Sequence, residues 1–135
     1  MCKRVAAIDV GLKRIGIAIC LDLVTPIPLT AILRKNRNQA ARDVSNFLKE
    51  WKIDILVVGL PKDGSSSDEM EKRVKHFVGL IDFSGEVTYI DEWGSSIEAS
   101  ERIKGVTRHR KDGRLDSIAA QIILERFLSS YTHHA

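Results

Sequence analysis

The chain has 135 residues, 44% of them hydrophobic, which suits one globular domain, residues 1–135, around one buried core. Lys and Arg outnumber Asp and Glu by 21 to 18, and a net charge of +3 permits a polyanionic partner without establishing one. No apolar run approaches the roughly 20 residues needed to cross a bilayer and no secretion signal is evident, so a soluble, cytoplasmic protein is expected, with no membrane partner. Cys2 and Cys20 lack the paired short spacing of a zinc or redox site, and Cys20 reads as a small core residue.

Two nearly unbroken apolar runs, Val5 to Val10 and Ile15 to Leu21, flank a short turn at Gly11-Leu12-Lys13-Arg14 and predict an antiparallel hairpin. Ile27 to Leu33 follows with Pro26 and Pro28, which argue against helix and for a sheet edge. Asn36 and Gln39 resemble a capping pair, and Ala40, Ala41, Val44, Phe47, Leu48 and Trp51 recur at helical spacing. Ile53 to Gly59, apolar except for Asp54, has the pattern of a parallel strand buried on both faces. Ser66 and Glu69 form an S-x-x-E box for a helix with Met70, Val74, Phe77, Val78 and Ile81 inward. Gly85 closes the loop before a strand from Val87 to Asp91, and Ser95 and Glu98 repeat the capping box. The last helix carries Leu115, Ile118, Ala119, Ile122, Ile123 and Phe127 on one wide face. Hairpins make the first three strands antiparallel and crossover helices make the rest parallel, so an α/β fold follows: a mixed five-stranded sheet with helices on both faces. Ligands on such sheets bind at the carboxyl ends of the parallel strands, which directs attention to the acids there.

Asp9 stands among Ala6, Ala7, Ile8 and Val10, where a carboxylate is costly unless paired, hydrogen-bonded or bound to metal. The competing role is an Asx turn across Gly11 to Arg14. Asp91 and Glu92 end a strand, and because alternate residues point to opposite faces, only one of them can share a face with Asp9. Asp116 falls in the first turn of the final helix, where capping alone would account for it, although Asp112 could serve as that cap. Taken together, Asp9, Asp91 or Glu92, and Asp116 are able to converge on hard divalent cations. The histidines lack H-x-x-x-H spacing and receive no metal. Between Arg102 and Arg114, six cations including Arg108, Arg110, Lys111 and Arg114 face only Asp112; a solvated loop is the plain reading of such a run.

Four segments in order resemble the YqgF/RuvX family, described as Holliday-junction resolvases and as nucleases in ribosomal RNA maturation. They are Ala7 to Gly16, similar to D-x-G-x-x-R-x-G; Val57-Val58-Gly59-Leu60-Pro61 with Asp63-Gly64; Asp91-Glu92; and Leu115-Asp116-Ser117-Ile118-Ala119-Ala120. The match runs over almost the whole chain. It implies an RNase H-like fold, Asp9, Asp91 or Glu92, and Asp116 as acidic site residues, and a role for Arg14. The chain departs from the family where D-E-R is usual, carrying Trp93 after Glu92, and the loop after Pro61 is shorter than usual.

The expected function is phosphodiester hydrolysis of structured RNA or branched DNA, assisted by two Mg2+ or Mn2+ ions held by those carboxylates. Lys13 and Arg14 on one lip and Arg108, Arg110, Lys111 and Arg114 on the other would grip the phosphate backbone. The expected working unit is a monomer or weak homodimer. A non-catalytic RNA-binding module on the same fold is the rival from another class. An actin-like ATPase also uses a D-x-G turn, but such enzymes close two domains around nucleotide and this chain has no second D-x-G segment.

Overall fold

A computed structural model describes residues 3–60, 67–91 and 117–133. Its centre is the strand β1 (Val5–Val10), whose side chains alternate between two cores. Ala6 and Ile8 enter one and Val5 and Ala7 the other, all four fully buried, as a central strand requires. The strand β2 (Arg14–Cys20) runs antiparallel to it from Val5↔Cys20 to Val10↔Ile15. Beyond lies β3 (Ile27–Leu33), antiparallel to β2 and at the sheet edge, where Pro28 costs no ladder bond to a further strand. Its register shifts between Ile15↔Ile32 and Ile17↔Leu29, so two β3 residues oppose Gly16 in a β-bulge. On the other side of β1, the parallel strands β4 (Ile55–Leu60) and β5 (Glu86–Asp91) complete the order β3-β2-β1-β4-β5.

Two helices, α1 (Arg37–Glu50) and α2 (Ser67–Gly79), cover the face that carries Ile8, Ile17, Leu56 and Val58. The expected capping pair starts α1: Asn36 Oδ1 accepts the Gln39 N–H at 2.7 Å and Gln39 Oε1 accepts the Asn36 N–H at 3.3 Å. Ser45 Oγ donates to the Ala41 carbonyl at 2.7 Å and accepts the Asp82 N–H at 2.8 Å, tying α1 to the segment after α2. The third helix, α3 (Ser117–His133), packs Ala120, Ile123, Leu124 and Phe127 against Val5, Ala7, Ala18, Cys20 and Val57 on the opposite face. Ile123 and Leu124 are fully buried, so truncating either to Ala would cost about 2–5 kcal/mol. Cys20 is a buried free thiol in this core, as its isolation in the sequence predicts. No described helix is long and apolar enough to cross a membrane.

Element edges differ from the sequence pattern for identifiable reasons. Asp54 lies before β4, its carboxylate accepting the Arg4 N–H at 2.8 Å, so the one acid of that apolar run is outside the strand. Leu21 falls beyond β2, where Asp22 turns the chain by accepting the N–H groups of Val24 and Thr25, both at 2.9 Å. Ile81 is buried but lies past the end of α2. The Ser66 and Ser95 capping boxes fall wholly or partly outside the described residues, as do Leu115 and the basic run from Arg102 to Arg114.

Candidate active site

At the carboxyl end of β1, Asp9 has the parity of Val5 and Ala7 and so belongs to the α3 face of the sheet. Its register partner on β2 is Gly16. With no side chain at Gly16, an open pocket of ≈ 350 Å³ lies over the half-buried Asp9, lined by Asp9, Gly11, Lys13, Arg14 and Gly16. The turn that forms its rim is tightly closed: the Gly11 N–H donates to the Arg14 carbonyl at 3.0 Å. A Cβ on Gly11 would meet that same oxygen at 2.5 Å, so only glycine fits this close approach. Arg34 braces the turn from behind, its backbone N–H donating to Lys13 O at 2.9 Å and its Nη1 to Gly11 O at 2.8 Å. Lys13 and Arg14 are exposed beside the carboxylate, setting positive charge next to Asp9.

The start of α3 is pinned to the same place. Where the β2–β3 register shifts, the Ile17 N–H donates to Ser117 Oγ at 3.0 Å, and both residues are buried. Ile17 adjoins Gly16, and Gly16 faces Asp9. Asp116 itself lies outside the described residues, but its chain neighbour is therefore anchored one residue from Asp9's partner.

Strand parity separates the two acids at the end of β5. Ile90 packs against the α3-face core, whereas Val87, Tyr89 and Asp91 have the other parity. Tyr89 has Lys75 of α2 5.6 Å over its ring, which identifies that face as the α2 side. Asp91 thus belongs to the face opposite Asp9, while its carbonyl accepts Arg126 Nη1 of α3 at 3.0 Å. Glu92, the next residue, lies outside the described residues, as do Arg108, Arg110, Lys111 and Arg114. Among the described residues no three His, Cys, Asp or Glu side chains gather to hold a metal ion. Of the site features, Ser117 and Arg34 escaped the sequence reading. Ser117 follows a suspected acid, but its bond depends on a bulge 100 positions away.

Burial pushes the Cys20 thiol up, and the backbone N–H groups of Thr25 and Val24 hold the Asp22 carboxyl below its ordinary value. Both sit at the opposite end of β2 from Gly16, where no chemistry is indicated.

The family model described as "RuvX: Holliday junction resolvase" matches residues 3–130. A relative from Sulfurovum sp. is 65% identical over 126 residues, covering 93% of this chain and 98% of its own; one from Sulfurimonas denitrificans is 56% identical, covering 90% and 94%. A third, from Campylobacter jejuni subsp. doylei, is 50% identical, covering 94% and 98%. All three carry the name "Putative pre-16S rRNA nuclease". In fold, the chain is similar to Thermus thermophilus RuvC in complex with a Holliday junction substrate, with TM-score 0.59, 14% identity and 96% coverage of both chains. It is also similar to the fowlpox virus Holliday junction resolvase, with TM-score 0.54, 17% identity and coverage of 94% and 99%. With the family model spanning nearly the whole chain, and relatives of this identity aligned almost end to end, the chain belongs to the RuvX family of Holliday junction resolvases.

Proposed function

We propose that this single-domain protein is a cytoplasmic, metal-dependent endonuclease that hydrolyses phosphodiester bonds of structured nucleic acid, with precursor 16S ribosomal RNA as its substrate. The observation that carries the proposal is the placement of Asp9 at a strand end, over a position without a side chain and beside Lys13 and Arg14. The names of relatives at 50–65% identity favour RNA over a DNA junction, while the family's own description keeps the junction as the second reading.

The donor chemistry at the pocket fits a hard divalent cation: a half-buried carboxylate with open space above it. Asp9, Glu92 and Asp116 would hold Mg2+ or Mn2+. Glu92 is preferred over Asp91 because Asp91 has the parity of the α2 face, and alternation assigns the following residue to the face of Asp9. Bound ions of this kind supply an activated water and stabilise the leaving oxygen. The chain's own part is positional. Arg34 and Gly11 hold the turn rigid, Lys13 and Arg14 attract and orient the phosphate, and Ser117 fixes the start of α3, from which Asp116 would reach the site. Arg108, Arg110, Lys111 and Arg114 would add sequence-independent grip on the backbone.

The test is a cleavage assay with purified protein on a precursor 16S RNA fragment and on a four-way DNA junction, each with Mn2+ or with EDTA. Mn2+-dependent cutting of the RNA is expected. Cutting of the junction alone would transfer the activity to DNA, and cutting of neither would return the chain to a non-catalytic binding module.

A further inference from the structure

On the other side of the Gly11–Arg14 turn lies a second concavity that the proposed chemistry does not use. Two pockets of ≈ 550 Å³ each share Leu12, Arg34, Arg37 and His76 and so form one groove between the start of α1 and the side of α2. Among the described residues its charged and titratable lining is Arg34, Lys35, Arg37, Lys72, Arg73 and His76 against a single acid, Glu69. That acid is already engaged by Arg73 at 3.0 Å. Among the described residues no carboxylate pairs with Arg34, Lys35, Arg37 or Lys72. The cations come from three places in the chain. Arg34 and Lys35 follow β3, Arg37 begins α1, and Lys72, Arg73 and His76 stand with Glu69 on one face of α2 at i, i+3, i+4 and i+7. Such convergence of like charge is unfavourable to folding through self-repulsion, and a bound anion would relieve it.

Arg34 shows how the groove connects to the site. Its guanidinium rests over the Phe77 ring at 5.3 Å and donates to Gly11 O, so one fixed cation ties the groove to the turn that rims the Asp9 pocket. β3 and β1 run in the same direction, so both concavities open at the same end of the sheet, on opposite faces. Among the described residues the lining has no exposed Phe, Tyr or Trp on which a base could stack, since Phe77 is 1% exposed beneath Arg34. Single-strand readers rely on exposed aromatics, whereas a duplex presents mainly phosphate.

We infer that this groove binds the phosphate backbone of a double-stranded arm of the nucleic acid whose strand is cut at Asp9. The inference rests on the nuclease reading for its substrate, yet binding tests it independently of cleavage. The probes are a fluorescent RNA hairpin duplex and a single-stranded RNA of equal length, titrated in EDTA over a range of salt. Arg37 and Lys72 are exposed and outside the catalytic machinery, so R37A/K72A should melt as wild type. For the duplex, its slope of log K against log salt should be shallower by roughly 2, at about 0.9 for each lost phosphate contact. R37E/K72E should bind the duplex more weakly still. An unchanged duplex slope overturns the inference, and so does an equal loss for the single strand. If D9N abolishes cleavage while R37A/K72A binds as wild type, the groove fails and the nuclease reading stands. If wild type never cleaves but R37A/K72A loses duplex affinity, the reverse holds.

Discussion

Ser117→Ala removes one oxygen from the chain and isolates what holds α3 to the sheet. The Ile17 N–H would lose its acceptor in a place where Ser117 is 0% and Ile17 1% exposed, so water cannot replace it without rearrangement. An orphaned buried donor costs about 1–3 kcal/mol. With an unfolding entropy of about 2.1 cal/mol/K per residue, each kcal/mol lowers the melting temperature of a chain this long by roughly 3.5 °C, so a fall of about 4–11 °C is expected. Ser45→Ala is the matched control, since Ser45 is also buried and its hydroxyl accepts the Asp82 N–H. Both variants should lose stability, measured by thermal melting. Only Ser117→Ala should also lose specific activity when assayed well below its melting point, because only Ser117 adjoins Asp116. A Ser117→Ala protein that melts as wild type, or that is destabilised yet fully active, would refute the reasoning.

Glu92→Gln should abolish Mn2+-dependent cleavage while Asp91→Asn retains most of it, as strand parity requires; the reverse pattern in a single-turnover assay would mean that β5 does not continue its alternation. Asp116→Asn should leave melting near wild type, because Asn caps a helix almost as well as Asp and loses only a charge–dipole interaction of about 0.3–1 kcal/mol, yet it should weaken Mn2+ binding measured by calorimetry. Full activity with lowered stability would make Asp116 a cap. For Asp22, whose folded carboxyl titrates below its ordinary value, the charged form is favoured by folding, so its contribution is complete above the unfolded pKa near 4 and is lost as pH falls through the lower folded value. The melting difference between wild type and Asp22→Asn should therefore be constant at neutral pH and shrink in acid; a difference that grows in acid would contradict it.

Much of this was legible in the residues because the physics is local. The two-sided burial of β4 showed in an almost unbroken apolar run, the edge position of β3 in its prolines, and the start of α1 in the reciprocal Asn36 and Gln39. Asp9 stood out as a charge among apolar neighbours. Other features depend on pairings between distant positions. Choosing between Asp91 and Glu92 needs the register of β5 against β4, which links residues about 30 apart and has no mark in either strand. The anchoring of Ser117 needs the register shift of β3 opposite Gly16, and the cationic groove needs Arg34, after β3, brought beside Lys72 of α2. Asp54 misled for the opposite reason: its neighbours are apolar, but its carboxylate is spent on the Arg4 N–H outside the strand.

The most direct test of the nuclease reading is the single-turnover cleavage rate of Asp9→Asn against wild type with Mn2+, at saturating enzyme, with RNA affinity measured separately in EDTA. Loss of a metal-holding carboxylate removes several kcal/mol of transition-state stabilisation, so the rate should fall by on the order of 100-fold or more while melting temperature and metal-free RNA affinity stay near wild type. A mutant that cleaves within a few-fold of wild type would contradict the assignment of Asp9 and, with it, the site built around the β1–β2 turn.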